Sequence, residues 1–169
     1  METSKDFYRH NQSKNELWQN WENDVALALN GQRVRCSGRF DLFKGDVIAD
    51  RYLVDCKHTE KPYYTLDIKT WQNVSEWARN AAKTPVLALR IDDGSYKAAE
   101  FIVIPEIDYC ELTGKNGLYD LIKGQRSKKI GKMIEPPVFF AMQRERLVVM
   151  AFDEFVREIS ENIQKQQSI

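Results

Sequence analysis

Apolar residues recur every three to four positions across residues 14–30, at Leu17, Trp18, Trp21, Val25, Ala28 and Leu29. This spacing predicts a helix, with Gly31 as its stop. Residues 33–36 read as a short strand, and Ser37-Gly38-Arg39 breaks it. Two apolar runs, 47–49 and 52–54, then flank the polar pair Asp50-Arg51 and predict a β-hairpin over residues 46–57. A polar connection over 58–64, containing Pro62, leads to a second helix over 66–83. Its stripe is Ile68, Trp71, Val74, Ala78 and Ala81. Strands at 85–91 and 99–104 are joined by the turn Asp92-Asp93-Gly94-Ser95. Residues 109–131 are rich in glycine and lysine, with one short helix at most. A second hairpin pairs 138–142 with 147–152, and a final helix covers 153–165. Helix, three strands, helix, two strands is an α/β (α+β) order and predicts a mixed central sheet flanked by helices. No repeat or linker divides the chain, so one domain is expected, with its core at about 14–104 and an extension at 105–169 of unclear role.

The first hairpin carries the chemistry. Folding the chain at Asp50-Arg51 sets Ala49 against Tyr52, Ile48 against Leu53, Val47 against Val54 and Asp46 against Asp55. Directly opposed residues have Cβ atoms roughly 4.5–5.5 Å apart on one face. Lys57, two residues beyond Asp55, shares that face. Opposed carboxylates repel, and a divalent metal between them removes the repulsion. The bland alternative is ordinary turn chemistry at Gly45-Asp46 and a solvated strand end at Lys57. A slip of one residue would send the two aspartates to opposite faces.

Composition narrows the class. The chain has 169 residues, 43% hydrophobic and 30% charged, which is a globular rather than a disordered balance. Its apolar runs are too short to span a bilayer, and residues 1–12 hold no apolar signal segment. The three cysteines, Cys36, Cys56 and Cys110, are scattered and joined by only two histidines, which argues against structural zinc and fits a reducing cytoplasm. Cys56 reads as a core residue pointing away from the aspartates. With 25 basic and 25 acidic residues the net charge is zero, which argues against a purely electrostatic nucleic-acid binder. Positive charge is local: Arg33, Arg35 and Arg39 form one cluster, and Lys123, Arg126, Lys128, Lys129 and Lys132 form another that reads first as a solvated face.

The first helix offers two acids. Glu16 lies with Gln19, Asn20 and Asn23 on a polar side. Glu22 shares the stripe of Trp18, Val25 and Leu29. An acid facing a core is costly unless it is paired or bound to metal, so Glu22 is the candidate. The alternative is that Glu22 sits at the edge of the stripe and reaches water.

Glu22, Asp46 and Asp55-Cys56-Lys57, in the order helix, strand, strand, resemble the PD-(D/E)xK nuclease superfamily, with Gly45-Asp46 standing where that pattern has Pro-Asp. Arg33-Val-Arg-Cys-Ser37, the helix over 66–83 and Thr84-Pro-Val-Leu-Ala-Leu-Arg90 are similar to stretches of its Holliday junction resolvase branch. The likeness covers about residues 14–104. It implies a restriction-endonuclease-like αβββαβ core and Mg²⁺-dependent hydrolysis of DNA phosphodiesters, with Mn²⁺ able to substitute. It also implies 5′-phosphate and 3′-hydroxyl products.

On that resemblance Asp46, Asp55, the backbone carbonyl of Cys56 and Glu22 are the metal ligands, and Glu22, Asp46, Asp55 and Lys57 form the catalytic set. Arg35, Ser37 and Arg39, just ahead of the site, are the expected phosphate contacts, with Lys69 and Gln72 of the second helix beside them. The implied partner is branched DNA, such as a four-way junction, cut by a homodimer to which Trp77 and Phe139 are candidate contributors. Three alternatives stay open: a restriction or repair nuclease acting on linear or flapped DNA, a nuclease acting on RNA, and a non-catalytic DNA-binding scaffold.

Overall fold

The computed structural model describes residues 14–34, 44–95, 97–115 and 124–167. Helix α1 (Lys14–Ala28) is followed by three strands: β1 (Gln32–Arg33), β2 (Val47–Ile48) and β3 (Tyr52–Thr59). Strand β4 (Tyr63–Asp67), helix α2 (Ile68–Asn80), β5 (Thr84–Ile91) and β6 (Ala99–Pro105) come next. The chain ends with α3 (Glu106–Thr113), β7 (Ser127–Gly131), β8 (Val138–Met142), β9 (Glu145–Ala151) and α4 (Phe152–Gln167).

Among the described residues seven strands make one mixed sheet in the order β1-β2-β3-β5-β6-β9-β8. Strand β5 lies parallel to β3, and the other pairs are antiparallel. A parallel neighbour requires a crossover, and α2 supplies it. The central β5 is buried on both faces, which explains its unbroken Val86-Leu-Ala-Leu89 run. Val86 and Ala88 join a core with Trp21, Val25, Cys56, Tyr109 and Phe155, beneath α1, α3 and α4. Leu87, Leu89 and Ile91 join a second core with Trp71, Val74, Leu66 and Ile130, beneath α2. The fold is thus a mixed α/β sheet with helices on both faces. Residues beyond 105 extend that sheet, because β9 pairs with β6 from Phe101 to Pro105.

Several boundaries move from the sequence expectation. Residues 58–64 are not simply a connection. Strand β3 continues to Thr59 because β5 offers it a full edge, Tyr52↔Thr84 through Thr59↔Ile91. Leu66 belongs to β4 rather than to a helix. The second helix starts at Ile68, because Asp67 caps it by accepting the Thr70 N–H at 2.8 Å. Strand β4 and β7 form a separate two-stranded ribbon, an addition to the αβββαβ order, and β7 lies in a stretch from which only a short helix was expected. The first helix ends as expected beside Gly31, although Asn30 takes the left-handed turn at φ 49°. Trp18 leaves the core stripe: it is 50% exposed, against His58. Trp77 and Phe139 pack against the two cores of their own chain.

Candidate active site

The β2–β3 hairpin has the anticipated register, Ile48↔Leu53 and Val47↔Val54, closed by Ala49 N–H donating to Tyr52 O at 2.9 Å. The regular ladder then breaks. Asp46 donates its N–H to Val54 O on one side and accepts the Val34 N–H on the other, both at 2.8 Å. In a regular strand the two backbone groups of one residue point the same way. Strand β2 is therefore turned at Asp46 in the manner of a bulge, a device that re-aims a side chain. Gly45 makes the turn possible. Its φ is +112°, and a Cβ there would come 2.8 Å from Leu53 Cδ2. Proline, locked near −65°, does not fit this backbone. The departure from Pro-Asp thus has a local physical reason.

Re-aimed, the Asp46 carboxylate replaces the missing part of β2. Its Oδ2 accepts the Cys56 N–H at 2.7 Å. The direct opposition of Asp46 to Asp55 in a continued ladder is therefore replaced by a side-chain route that still brings the carboxylates together. The Cys56 carbonyl faces the same sheet edge as its N–H, by strand alternation from Val54. The Cys56 side chain lies on the other face, in the core under α1, as its sequence position implied. Burial pushes its thiol well above the ordinary range, and the charges of Asp46, Asp55 and Glu22 add to that.

Asp55 and Lys57 project to the α2 side. Asp55 is 5% exposed, and its Oδ2 lies 2.7 Å from Lys57 Nζ. An ion pair alone would pull the carboxyl pKa down. Burial outweighs the lysine, and Asp46 adds a like charge and a hydrogen bond, so the Asp55 carboxyl titrates above its ordinary range. Burial works against the Lys57 ammonium, but Asp55 and then Asp46 overcome it and hold its pKa up. Tyr64, on the inward side of the ribbon, also belongs here. Burial raises its phenol, opposed by Lys57 and reinforced by Asp55. Nothing in the sequence marked Tyr64, because its strand was read as a connection.

Glu22 lies at the edge of the α1 stripe. Its Oε2 accepts from Arg33 Nε at 2.9 Å and from Nη2 at 2.5 Å. The partner that a half-buried acid needs is therefore Arg33, which the sequence showed only as part of a basic stretch. Among the described residues no three of His, Cys, Asp and Glu stand together as a metal-holding group. The closely grouped donors are the Asp46 and Asp55 carboxylates and the Cys56 backbone edge. One or two carboxylates completed by water is a donor set that suits Mg²⁺, and a cation would offset the like charge that Asp46 adds to the burial of Asp55. These residues fit a divalent ion.

Arg35, Ser37 and Arg39 lie outside the described residues. Lys69 and Gln72 are exposed on α2, and the Gln72 amide donates to Gln143 Oε1 at 3.3 Å, at the β8–β9 turn. Among the described residues no helix is long and apolar enough to cross a membrane.

No protein-family model matches this chain, and no curated protein matches it at a significant level. Among solved structures the fold is similar to Hjc, a Holliday junction resolvase from the archaeal hyperthermophile Archaeoglobus fulgidus. The two share 18% sequence identity and a TM-score of 0.37, over 48% of this chain and 72% of that one.

Proposed function

We propose that this chain is a metal-dependent endonuclease that hydrolyses phosphodiester bonds in branched DNA, with its active site at Asp46, Asp55 and Lys57. The observation that carries the reading is a turned strand that seats the Asp46 carboxylate on the Cys56 N–H at 2.7 Å, next in the chain to Asp55, whose buried carboxylate is held 2.7 Å from Lys57. Like charges at close range in a buried position cost stability. Such an arrangement has a function to serve more readily than a packing role.

Asp46 and Asp55 would hold Mg²⁺, with the Cys56 carbonyl as a further oxygen donor and Glu22 approaching from α1 once released from Arg33. Bound there, the ion would lower the pKa of a water molecule and offset charge at the phosphate. Lys57 Nζ, fixed by Asp55, would donate hydrogen bonds to the attacking water and to a non-bridging phosphate oxygen, where negative charge grows in the transition state. The water oxygen bonds to phosphorus, the bond to the 3′ oxygen breaks, and that oxygen takes up a proton. A 5′-phosphate and a 3′-hydroxyl result. Arg35, Ser37, Arg39, Lys69 and Gln72 are the proposed backbone contacts. Symmetric nicking of a four-way junction would require a homodimer.

The test is a nicking assay on a four-way junction, a flap and a linear duplex, with Mg²⁺, with Mn²⁺ and with chelator. Metal-dependent cutting confined to the junction supports the full reading. Cutting of linear or flapped DNA alone favours a repair-type nuclease. Asp55→Asn is expected to abolish cutting and keep binding, and a variant as active as the parent would remove the site assignment.

A further inference from the structure

The β4–β7 ribbon is an addition to the expected core, and β7 lies beyond the segments that carry the family resemblance. Its register is Tyr63↔Gly131, Tyr64↔Ile130, Thr65↔Lys129, Leu66↔Lys128 and Asp67↔Ser127. Alternation gives it two faces. Leu66 and Ile130 are fully buried in the core under α2, with Tyr64 packed against them. Tyr63, Thr65, Asp67, Ser127 and Lys129 face outward and are exposed. Lys129 Nζ lies 3.6 Å from the Tyr63 ring centroid.

The ribbon also gathers positive charge. Lys61 is exposed in the turn before β4. Arg126 is exposed just ahead of β7, and its carbonyl accepts the Ile68 N–H at 3.0 Å, which places it beside Lys69 in the first turn of α2. Lys128 extends over the Phe140 ring at 5.7 Å. Among the described residues Lys61, Lys69, Arg126, Lys128 and Lys129 make no ion pair with a carboxylate. The arginines 33, 51, 90 and 146, by contrast, are each held by an acid. The Asp67 carboxylate, on the outer face of the ribbon, accepts from the neutral Thr70 N–H and hydroxyl, and Glu60 is exposed beside Lys61. A solvated face in a chain of zero net charge would be expected to carry both signs. This one does carry both, but its cations outnumber Glu60 and Asp67, and among the described residues none of the five is ion-paired.

We infer that the β4–β7 ribbon is a docking surface for the phosphate backbone of duplex DNA, along which one arm of the substrate lies as it enters the site. This rests on the nuclease reading above. The partner is set by charge complementarity: a row of unpaired lysine and arginine side chains matches a regular polyanion. The direction is set by the fold: Asp55 and Lys57 pair with Leu87 and Leu89 of β5, which pack with Leu66, Ile130 and Tyr64 on the inner side of the same ribbon. A backbone with its reacting phosphate at Lys57 therefore has the ribbon as its continuation. Contacts of this kind position DNA without reading its bases.

The test uses the Asp55→Asn protein, so that DNA stays intact, and measures binding to a four-way junction and to a linear duplex by fluorescence anisotropy across a salt series. Combining Lys61→Ala, Arg126→Ala and Lys129→Ala is expected to weaken binding to both DNAs. The slope of log K against log salt should flatten by about 2 to 3, since each lost phosphate contact removes roughly 0.9. Arg157→Ala, on α4 across the sheet, is expected to change neither. An unchanged slope in the triple variant, with its melting temperature intact, overturns the ribbon assignment while leaving the nuclease reading in place. If the Asp55→Asn protein binds neither DNA at any salt, the nuclease reading itself falls, and the ribbon assignment with it. Should the triple variant be unfolded, Lys129→Glu alone replaces it, with a slope change of about 1 or more expected and no change counting against the assignment.

Discussion

Asp46 Oδ2 accepts the Cys56 N–H at 2.7 Å, so one side chain both completes the edge of β3 and carries a charge to the site. The two roles separate by mutation. Asp46→Asn keeps an acceptor oxygen and is expected to melt close to the parent while losing nicking. Asp46→Ala leaves the Cys56 N–H without its partner. It should lose nicking and also about 1–3 kcal/mol, the usual cost of an orphaned donor of this kind. Paired urea titrations and nicking assays check both. Equal stability loss in the two variants would contradict this division of labour.

Gly45 sets the aim of that carboxylate. With φ at +112° and Leu53 Cδ2 2.8 Å from where a Cβ would stand, Gly45→Ala meets backbone strain and a steric contact together. The expected cost is about 1–3 kcal/mol, with a fall in nicking larger than the loss of folded protein explains. Gly94→Ala serves as the comparison. It shares a positive φ, +80°, but nothing stands within 4 Å of where its Cβ would be, so its substitution meets backbone strain without the steric contact.

Asp55 is held above its ordinary value of 3.8, chiefly by burial and further by Asp46, despite Lys57. A carboxyl with a raised folded-state pKa favours the folded protein in its protonated form. The stability it permits is fully present below the unfolded value and is lost as pH rises through the folded one. At neutral pH the ionised group is therefore a penalty, and Asp55→Asn should melt higher than the parent. Each kcal/mol relieved is worth about 2–4 °C in a chain of this size. The gain should shrink as pH falls toward 3.8. Calorimetry from pH 3.5 to pH 7.5 follows it. Mg²⁺ should raise the melting temperature of the parent and leave the variant unmoved, because a ligand of the folded state stabilises by mass action.

Arg33 and Glu22 are the pair to separate next. Their side chains are 33% and 21% exposed, so solvent screens the bridge, and Glu22→Gln should cost under about 1 kcal/mol. A fall in nicking of tenfold or more, with melting nearly unchanged, would mark Glu22 as part of the chemistry. Arg33→Ala should then retain nicking, since it only frees the acid. If Glu22→Gln nicks like the parent, the ion pair is structural alone.

The reach of sequence reasoning follows the range of the forces involved. Periodicity located α1, the first hairpin with its Val47↔Val54 register, the β5 and β6 strands, the second hairpin and α4, because each is a local pattern read over a few residues. It also placed Asp55 and Lys57 on one face and Cys56 on the other, since strand alternation needs no tertiary knowledge. The turn of β2 at Asp46 was beyond it. That turn depends on Leu53 filling the space beside Gly45 and on Val34 and Val54 drawing the backbone groups of Asp46 to opposite sides. Glu22 was legible as an acid on the apolar stripe of α1, but its engagement by Arg33 joins segments that local spacing does not relate. The ribbon stayed hidden for the same reason. Strands β4 and β7 are some sixty residues apart, and each is too short and too polar to declare itself. Local pattern thus settled which side of each element faces inward. Long-range packing settled where the charged groups finally meet, because their positions answer to neighbours that only the folded chain supplies.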